Sequence, residues 1–292
     1  MSKEKIPERG MSEQKIPQSA RILQVREKAK ILREKLECTR FPSASNSFYR
    51  GTLQSSMKWQ KLRVYFNKRL NRYRYCQAVM EARHGKHVLL DKEGIACPAA
   101  AAAFGFKPLP EGLKSGKGLV GFGITKHPDV GREMFKEMPS LAMGELKSLY
   151  LFPLETAVTE PDIVVMEDQV ERLMRVVLAY VNVKGGKRVE SSTAVLQATC
   201  VDSTIIPYKQ HRMNLSYGCY GCRDATDIGP DESVLGFPYS DFDSIVEYIE
   251  YLSMKAIPNS RNKNAYTMLK KRSAEKVLRT DIFQMHQKEN NT

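Results

Sequence analysis

Between residues 58 and 256, short apolar runs rich in β-branched and aromatic residues alternate with amphipathic stretches. This alternation constrains the fold more than any other feature. Ser148–Pro153 (SLYLFP), Asp162–Met166 and Ser233–Phe237 read as buried strands, and His87–Leu90 as a short one. Tyr75–Arg83, Gln169–Tyr180 and Phe242–Met254 carry helical spacing. Cys97-Pro98 followed by five alanines reads as a helix N-terminus, because proline suits a first turn and alanine is the best helix former. Residues 192–206 are apolar and β-branched and fit strand or helix equally. Residues 105–123 (GFKPLPEGLKSGKGLVGFG) read as loop. The expectation is one α/β body over 58–256, with a mixed α+β arrangement left open.

Two extensions flank that body. Residues 1–57 form a basic arm. It opens with an echoed polar leader, SKEKIP at 2–7 and SEQKIP at 12–17, of a composition that favours disorder. A helix follows over about 20–38, with apolar Ile22, Val25, Ala29, Ile31, Leu32 and Leu36, and then a Ser/Gly-rich stretch at 41–56 that reads as loop. Residues 257–292 form a basic tail with one helix expected from Ala265 to Gln284.

Charge follows the same division. Residues 1–90 hold 21 basic against 7 acidic side chains, and residues 251–292 hold 9 against 3. The remainder, 16 against 23, is acidic, although the whole chain carries +13. Basic ends suit nucleic acid, an anionic surface or an acidic protein. The densest segment, Lys58 to Arg74, interleaves seven Lys/Arg with Trp59, Tyr65, Phe66 and Tyr73, a composition compatible with single-stranded nucleic acid and equally with an ordinary amphipathic element. No RNP, KH or helix-turn-helix signature accompanies it. No run of 18 apolar residues is present, which argues against a membrane-spanning helix. The polar N-terminus has no signal-peptide core. The expected compartment is the cytoplasm, where thiols stay reduced.

There, cysteines point to metal or redox chemistry more than to cross-links. Cys38 lies in the arm; Cys76, Cys97, Cys200, Cys219 and Cys222 lie in the body. Cys219-Tyr-Gly-Cys222 is a CxxC knuckle, whose spacing lets two sulfurs face one metal, and Gly221 is expected to permit its turn. Cys97, at a helix N-terminus, sits where the dipole favours a thiolate. Zinc ribbons use two knuckles and this chain has one, whereas iron–sulfur clusters accept scattered ligands. The same five residues also fit a redox CxxC, or free thiols packed as small hydrophobes.

Other candidates carry less. His84 and His87 flank a basic turn; His127 and His211 lie in loops. Asp162, Asp202, Asp224 and Asp227 read as caps or turn residues, and Arg223 follows the knuckle closely enough to hold an anion. Gly116, Gly118, Gly121 and Gly123 lack the strand–GxxxxGK[ST]–helix setting of a phosphate loop. No GxSxG, HExxH or kinase set occurs.

Several blocks, in order, resemble one family: RYCQAVMEARHGKHVLLDKEGIACPAAAAAFGFKPLPEGL (74–113), LFPLE (151–155), EPDIVV (160–165), AVLQATCVDSTIIP (194–207), NLSYGCYGCRDATDI (214–228) and GFP (236–238). This is domain-of-unknown-function family 169, found mostly in archaea and anaerobic bacteria, and the resemblance covers about 58–255. It implies no reaction. It does imply a ligand set of Cys76, Cys97, Cys200 and Cys219, with Cys222 auxiliary, and a [4Fe-4S] cluster ahead of zinc. The chain departs from the family at 41–56, which lacks the usual apolar strand, and at 208–213 (YKQHRM), which is unusually basic.

The resulting expectation is a cytoplasmic iron–sulfur protein that serves a redox partner or an anaerobic enzyme. Two readings stay open beside it. One is a zinc-stabilised module that binds nucleic acid or an acidic protein. The other is a metal-free small-molecule binder whose pocket is lined by the Gly/Lys loop 112–126 and the cysteine region.

Overall fold

The computed structural model describes residues 17–36, 43–48 and 72–254. The leader, Cys38, most of the basic segment 58–74 and the expected helical tail at 257–292 lie outside the described residues. In chain order the elements are α1 (Gln18–Lys35), β1 (Ser43–Phe48), α2 (Tyr75–Arg83), β2 (Val88–Asp91), α3 (Pro98–Ala103), α4 (Glu111–Lys114), α5 (Lys117–Gly121) and α6 (Pro128–Lys136). Then come β3 (Ser148–Pro153), β4 (Ile163–Gln169), α7 (Val170–Val183), a π-helix (Ala198–Ile205), α8 (Ile206–Gln210), β5 (Asn214–Ser216), α9 (Tyr220–Ala225), β6 (Glu232–Pro238) and α10 (Phe242–Met254).

The six strands form one sheet in the order β2-β3-β1-β4-β6-β5, and each strand pairing is antiparallel. The body therefore mixes helices and strands as expected, with antiparallel rather than parallel neighbours. Period-two alternation splits β3, β4 and β6 between two cores. Leu149 and Leu151 of β3, Ile163 and Val165 of β4 and Val234 of β6 pack with α2, α3 and the π-helix. Tyr150 and Phe152, Val164 and Met166, Leu235 and Phe237 pack with α1, α7 and α10. Helices thus cover both faces, which explains why the strands read as continuous apolar runs.

Two loop expectations are corrected. The stretch 41–56, read as loop, contains β1, which pairs with both β3 and β4 inside the sheet. A Ser/Asn-rich run lacks β propensity, so the strand is set by tertiary pairing: Ala44 stands opposite Pro153 on one side and Val165 on the other. The sheet therefore begins upstream of residue 58. The expected helix of the arm is α1, whose buried Val25, Ala29 and Leu32 join the core under α10. The loop at 105–123 contains the short helices α4 and α5, which pack against α6. No helix among the described residues is long and apolar enough to cross a membrane.

Candidate functional site

The cysteines of the body all belong to the layer of α2, α3 and the π-helix. Cys76 is the second residue of α2 and half-buried; its thiol points to the Gly221 carbonyl at 3.8 Å. Cys97 is the N-cap residue of α3, where the Cys-Pro-Ala sequence placed it. Cys200 is buried within the π-helix. Cys219 caps α9, and Cys222 lies one turn along at the third helical position, fully buried.

Four separate segments therefore bring Cys76, Cys97, Cys200 and Cys219 close enough for their charges to act on one another. Burial pushes the Cys76 thiol up to about 12, and the Cys219, Glu167 and Cys97 charges add to it. Burial also holds Cys200 well above the usual thiol range, with further contributions from Cys97, Cys219 and Cys76. Cys219 moves the other way, down to about 6. The main cause is the Cys222 thiol; N–H groups of Ala198, Cys222 and Gly221 also favour the thiolate. The Cys219 N–H in turn donates to the Cys222 sulfur at 2.9 Å, so the knuckle is a capping box built from two thiols. The turn into the knuckle depends on Gly218, at φ +90°, and not on Gly221, which lies in α9.

The π-helix is the unusual element. All eight of its residues are buried, and it is preceded by Val195 at φ 56° and Gln197 at φ 53°. Left-handed backbone at a β-branched residue is rare and strained, and π-helical turns are frequent at functional sites. Here the Gln197 carbonyl accepts from the Val201 N–H at 2.7 Å, the Asp202 N–H at 3.3 Å and the Cys200 thiol at 3.5 Å.

Two carboxyls are buried alongside. Asp202 accepts from the Thr193 hydroxyl at 2.6 Å and the Ser216 hydroxyl at 2.8 Å, and burial raises it to about 7. Glu167 on β4 is fully buried and also raised to about 7, chiefly by burial and against the Arg83 charge. Its Oε1 accepts from the Thr199 hydroxyl at 3.4 Å, and its Oε2 has no partner. The sequence reading passed over Glu167. The available signal was an acid at an inward position of an apolar strand.

The remaining candidates do not join the cluster. His84 pairs with Asp227 at 3.1 Å on the surface. His87 bonds Tyr150 and Thr156 and stacks on Phe152 of the opposite core. His127 caps α6 and His211 terminates α8, both exposed. Asp162 and Asp224 are exposed. Arg223 latches the knuckle loop by donating to the carbonyls of Tyr217, Gly229 and Glu232.

The donor set fits a thiolate centre in kind: soft sulfur ligands, with backbone N–H groups oriented on Cys219 as outer-shell support. The set is open, however. Among the described residues, no group of three or more His, Cys, Asp or Glu is arranged to hold a metal ion.

No curated protein and no solved structure matches the chain. One family model does, that of DUF169, described as an uncharacterised ArCR family, over residues 31–248. The match takes in the last turn of α1, the whole sheet, the π-helix and all five cysteines of the body, and by it the chain belongs to the DUF169 family.

Proposed function

We propose that Cys76, Cys97, Cys200 and Cys219 are the ligands of an iron–sulfur centre, with which the protein carries electrons for an anaerobic enzyme or redox partner. One observation carries this reading: cysteines from four chain segments lie on one side of the sheet, Cys200 buried and the others half-buried, where the charges of Cys97 and Cys219 raise the cost of ionising Cys76 and Cys200. Packing alone does not require this, since a small apolar residue fills the same space as a thiol without mutual repulsion. A bound cation reverses the sign of that interaction, because it stabilises the thiolates that now repel. Cys219 is the thiolate prepared in advance, and Cys222 supports it without ligating. Four thiolates bound to a cluster leave it no open coordination position, which suits electron transfer more than substrate activation. A reducing cytoplasm is the compartment that keeps such thiols available.

The test is anaerobic purification with iron, labile sulfide and zinc measured per chain. Iron with matching sulfide and broad absorption near about 400 nm is the expected result. The Cys97→Ser/Cys219→Ser protein is expected to lose both and to unfold more readily, since metal binding is coupled to folding. Zinc without sulfide would reassign the thiols to a structural site. A metal-free protein whose stability ignores the double change would refute the centre.

A further inference from the structure

One side of α7 carries an apolar stripe that is exposed among the described residues. Val170, Met174 and Leu178 are 57%, 59% and 40% exposed. They recur at i, i+4 and i+8, so they stand one above another along the helix. The buried residues of the same helix, Leu173, Val176, Ala179 and Tyr180, already fill the core beneath it. A single exposed apolar side chain is ordinary, whereas a contiguous row of them marks an interaction surface. At 1.5 Å per residue the row is about 12 Å long. Two turns of one helix fall well short of the roughly 800 Å² per partner that a stable complex between separate chains buries. A tethered segment suits so small a face better, because its tether supplies an effective concentration of about millimolar order.

The chain leaves the described body close to that row. Lys184, the C-cap of α7, binds Asp241 just ahead of α10 at 2.6 Å. The two helices pack together, so they run antiparallel, and α10 ends at Met254 near the Val170 end of α7. Met254 is itself exposed. Residues 255–264 separate it from the helix expected over Ala265 to Gln284. Extended, that connection spans up to about 33 Å, against about 21 Å for the whole of α7. The expected helix therefore reaches any point of the row.

Its sequence complements the face. Ala274, Leu278 and Ile282 have the same i, i+4, i+8 spacing, and Met285 continues their row. Arg272, Lys276 and Arg279 fall together on an adjoining flank of that helix. From residue 255 onward the chain holds nine Lys/Arg against three Asp/Glu. The layer it would meet has the opposite sign. α10 carries Asp243, Glu247 and Glu250 and neither Lys nor Arg. Glu171 is exposed next to Val170, and the α7 cations Arg172 and Arg175 are each paired with an acid, Asp168 and Glu171. Rim ion pairs of this kind contribute little singly; they orient the segment, and the apolar rows supply the contact. We propose that residues 265–285 dock as an amphipathic helix along α7, laying Ala274, Leu278 and Ile282 against Val170, Met174 and Leu178. The inference goes beyond the cysteine centre and does not depend on it.

The experiment replaces Met174 of the full chain by the photo-reactive amino acid p-benzoylphenylalanine, irradiates the purified protein and maps the cross-linked peptides by mass spectrometry. Met174 is exposed, so the replacement leaves the core intact. The expected result is a cross-link within one chain to a peptide from 265–285. Leu278→Asp puts a charge in the middle of the docked row, and the cross-link should be lost while the thermal unfolding of the body is kept. Phe122, exposed after α5 in the helical layer on the other side of the sheet, is the control position. The same photo-reactive residue there should not capture the tail. A cross-link from position 174 to a second chain would put another copy on the face and overturn the proposal. So would capture of a different part of the same chain, or no capture at all. Equal capture of the tail from position 122, or a cross-link that survives Leu278→Asp, would show contact without docking and overturns it as well.

Discussion

Gly236→Ala probes the contact on which the cysteine layer rests. A Cβ at Gly236 would lie 1.8 Å from the Ser203 carbonyl oxygen and 2.6 Å from its carbon. Both atoms are backbone, so no rotamer relieves the clash. Either β6 or the π-helix must retreat by more than ~1 Å, and the π-helix and the Val234–Pro238 part of β6 are buried. Overpacking of this kind costs about 1–3 kcal/mol, and the absence of any side-chain escape places this site at the upper end. For a domain of this size, about 3 kcal/mol corresponds to roughly 6–12 °C in Tm. Because Ser203 is three residues beyond Cys200, the same retreat should displace that thiol, and metal content should fall with stability. Gly112→Ala is the control. Its added Cβ would meet nothing within 4 Å, and it lies at an exposed position of α4; the change should leave Tm level or raise it slightly. Thermal unfolding of the two variants beside the native chain makes the comparison. A Gly236→Ala protein that melts with the native one would show that the π-helix does not sit on β6, and the placement of Cys200 would fall with it.

Two further outcomes follow from the electrostatics. Arg83 and Glu232 form a bidentate, nearly buried pair with side chains 5% and 12% exposed. Arg83→Met strands Glu232 beside Glu167 and should cost about 3–5 kcal/mol in chemical denaturation, with much of the loss recovered in Arg83→Met/Glu232→Gln; a single variant as stable as the native protein would contradict the burial of the pair. In metal-free protein Cys219 should be the body thiol alkylated fastest by iodoacetamide. A thiol whose folded value is lowered gains thiolate as pH rises through that value, so its rate should climb with a midpoint of about 6. Cys222→Ala removes the main cause of the lowering and should move that midpoint up toward the ordinary thiol range; an unchanged midpoint would show that the knuckle thiols do not interact.

Legibility in the sequence followed burial symmetry. Strands covered on both faces, such as Ser148–Pro153, are buried at every position and almost wholly apolar, and this one was readable to the residue. So were α2 and α10, whose apolar stripes are long or sharply bounded. β1 was not readable. Its pairing partners, and not its own Ser/Asn-rich composition, make it a strand. The π-helix was equally hidden, because AVLQATCVDSTII has the β-branched content of a strand and the burial of a core helix. No local signal forecasts left-handed Val195 and Gln197; the close approach to Gly236 makes room for the turn that follows them.

The site divides along the same line. The CxxC spacing and the Cys-Pro helix start are local patterns, and both landed as helix caps. That Cys76 and Cys200 share a layer with them is a property of topology: α2 and the π-helix are far apart in sequence and meet over one face of the sheet. The same topology buries Glu167 on that face. In sequence it is only an acid near the end of an apolar strand, followed at once by Asp168, whose carboxylate turns to the other side to meet Arg172 at 2.9 Å. Two adjacent acids of one strand thus have opposite fates. Asp168 is compensated by a cation on its own helix-covered face. Glu167 has only a shared one, Arg83, which the Glu232 carboxylate already holds.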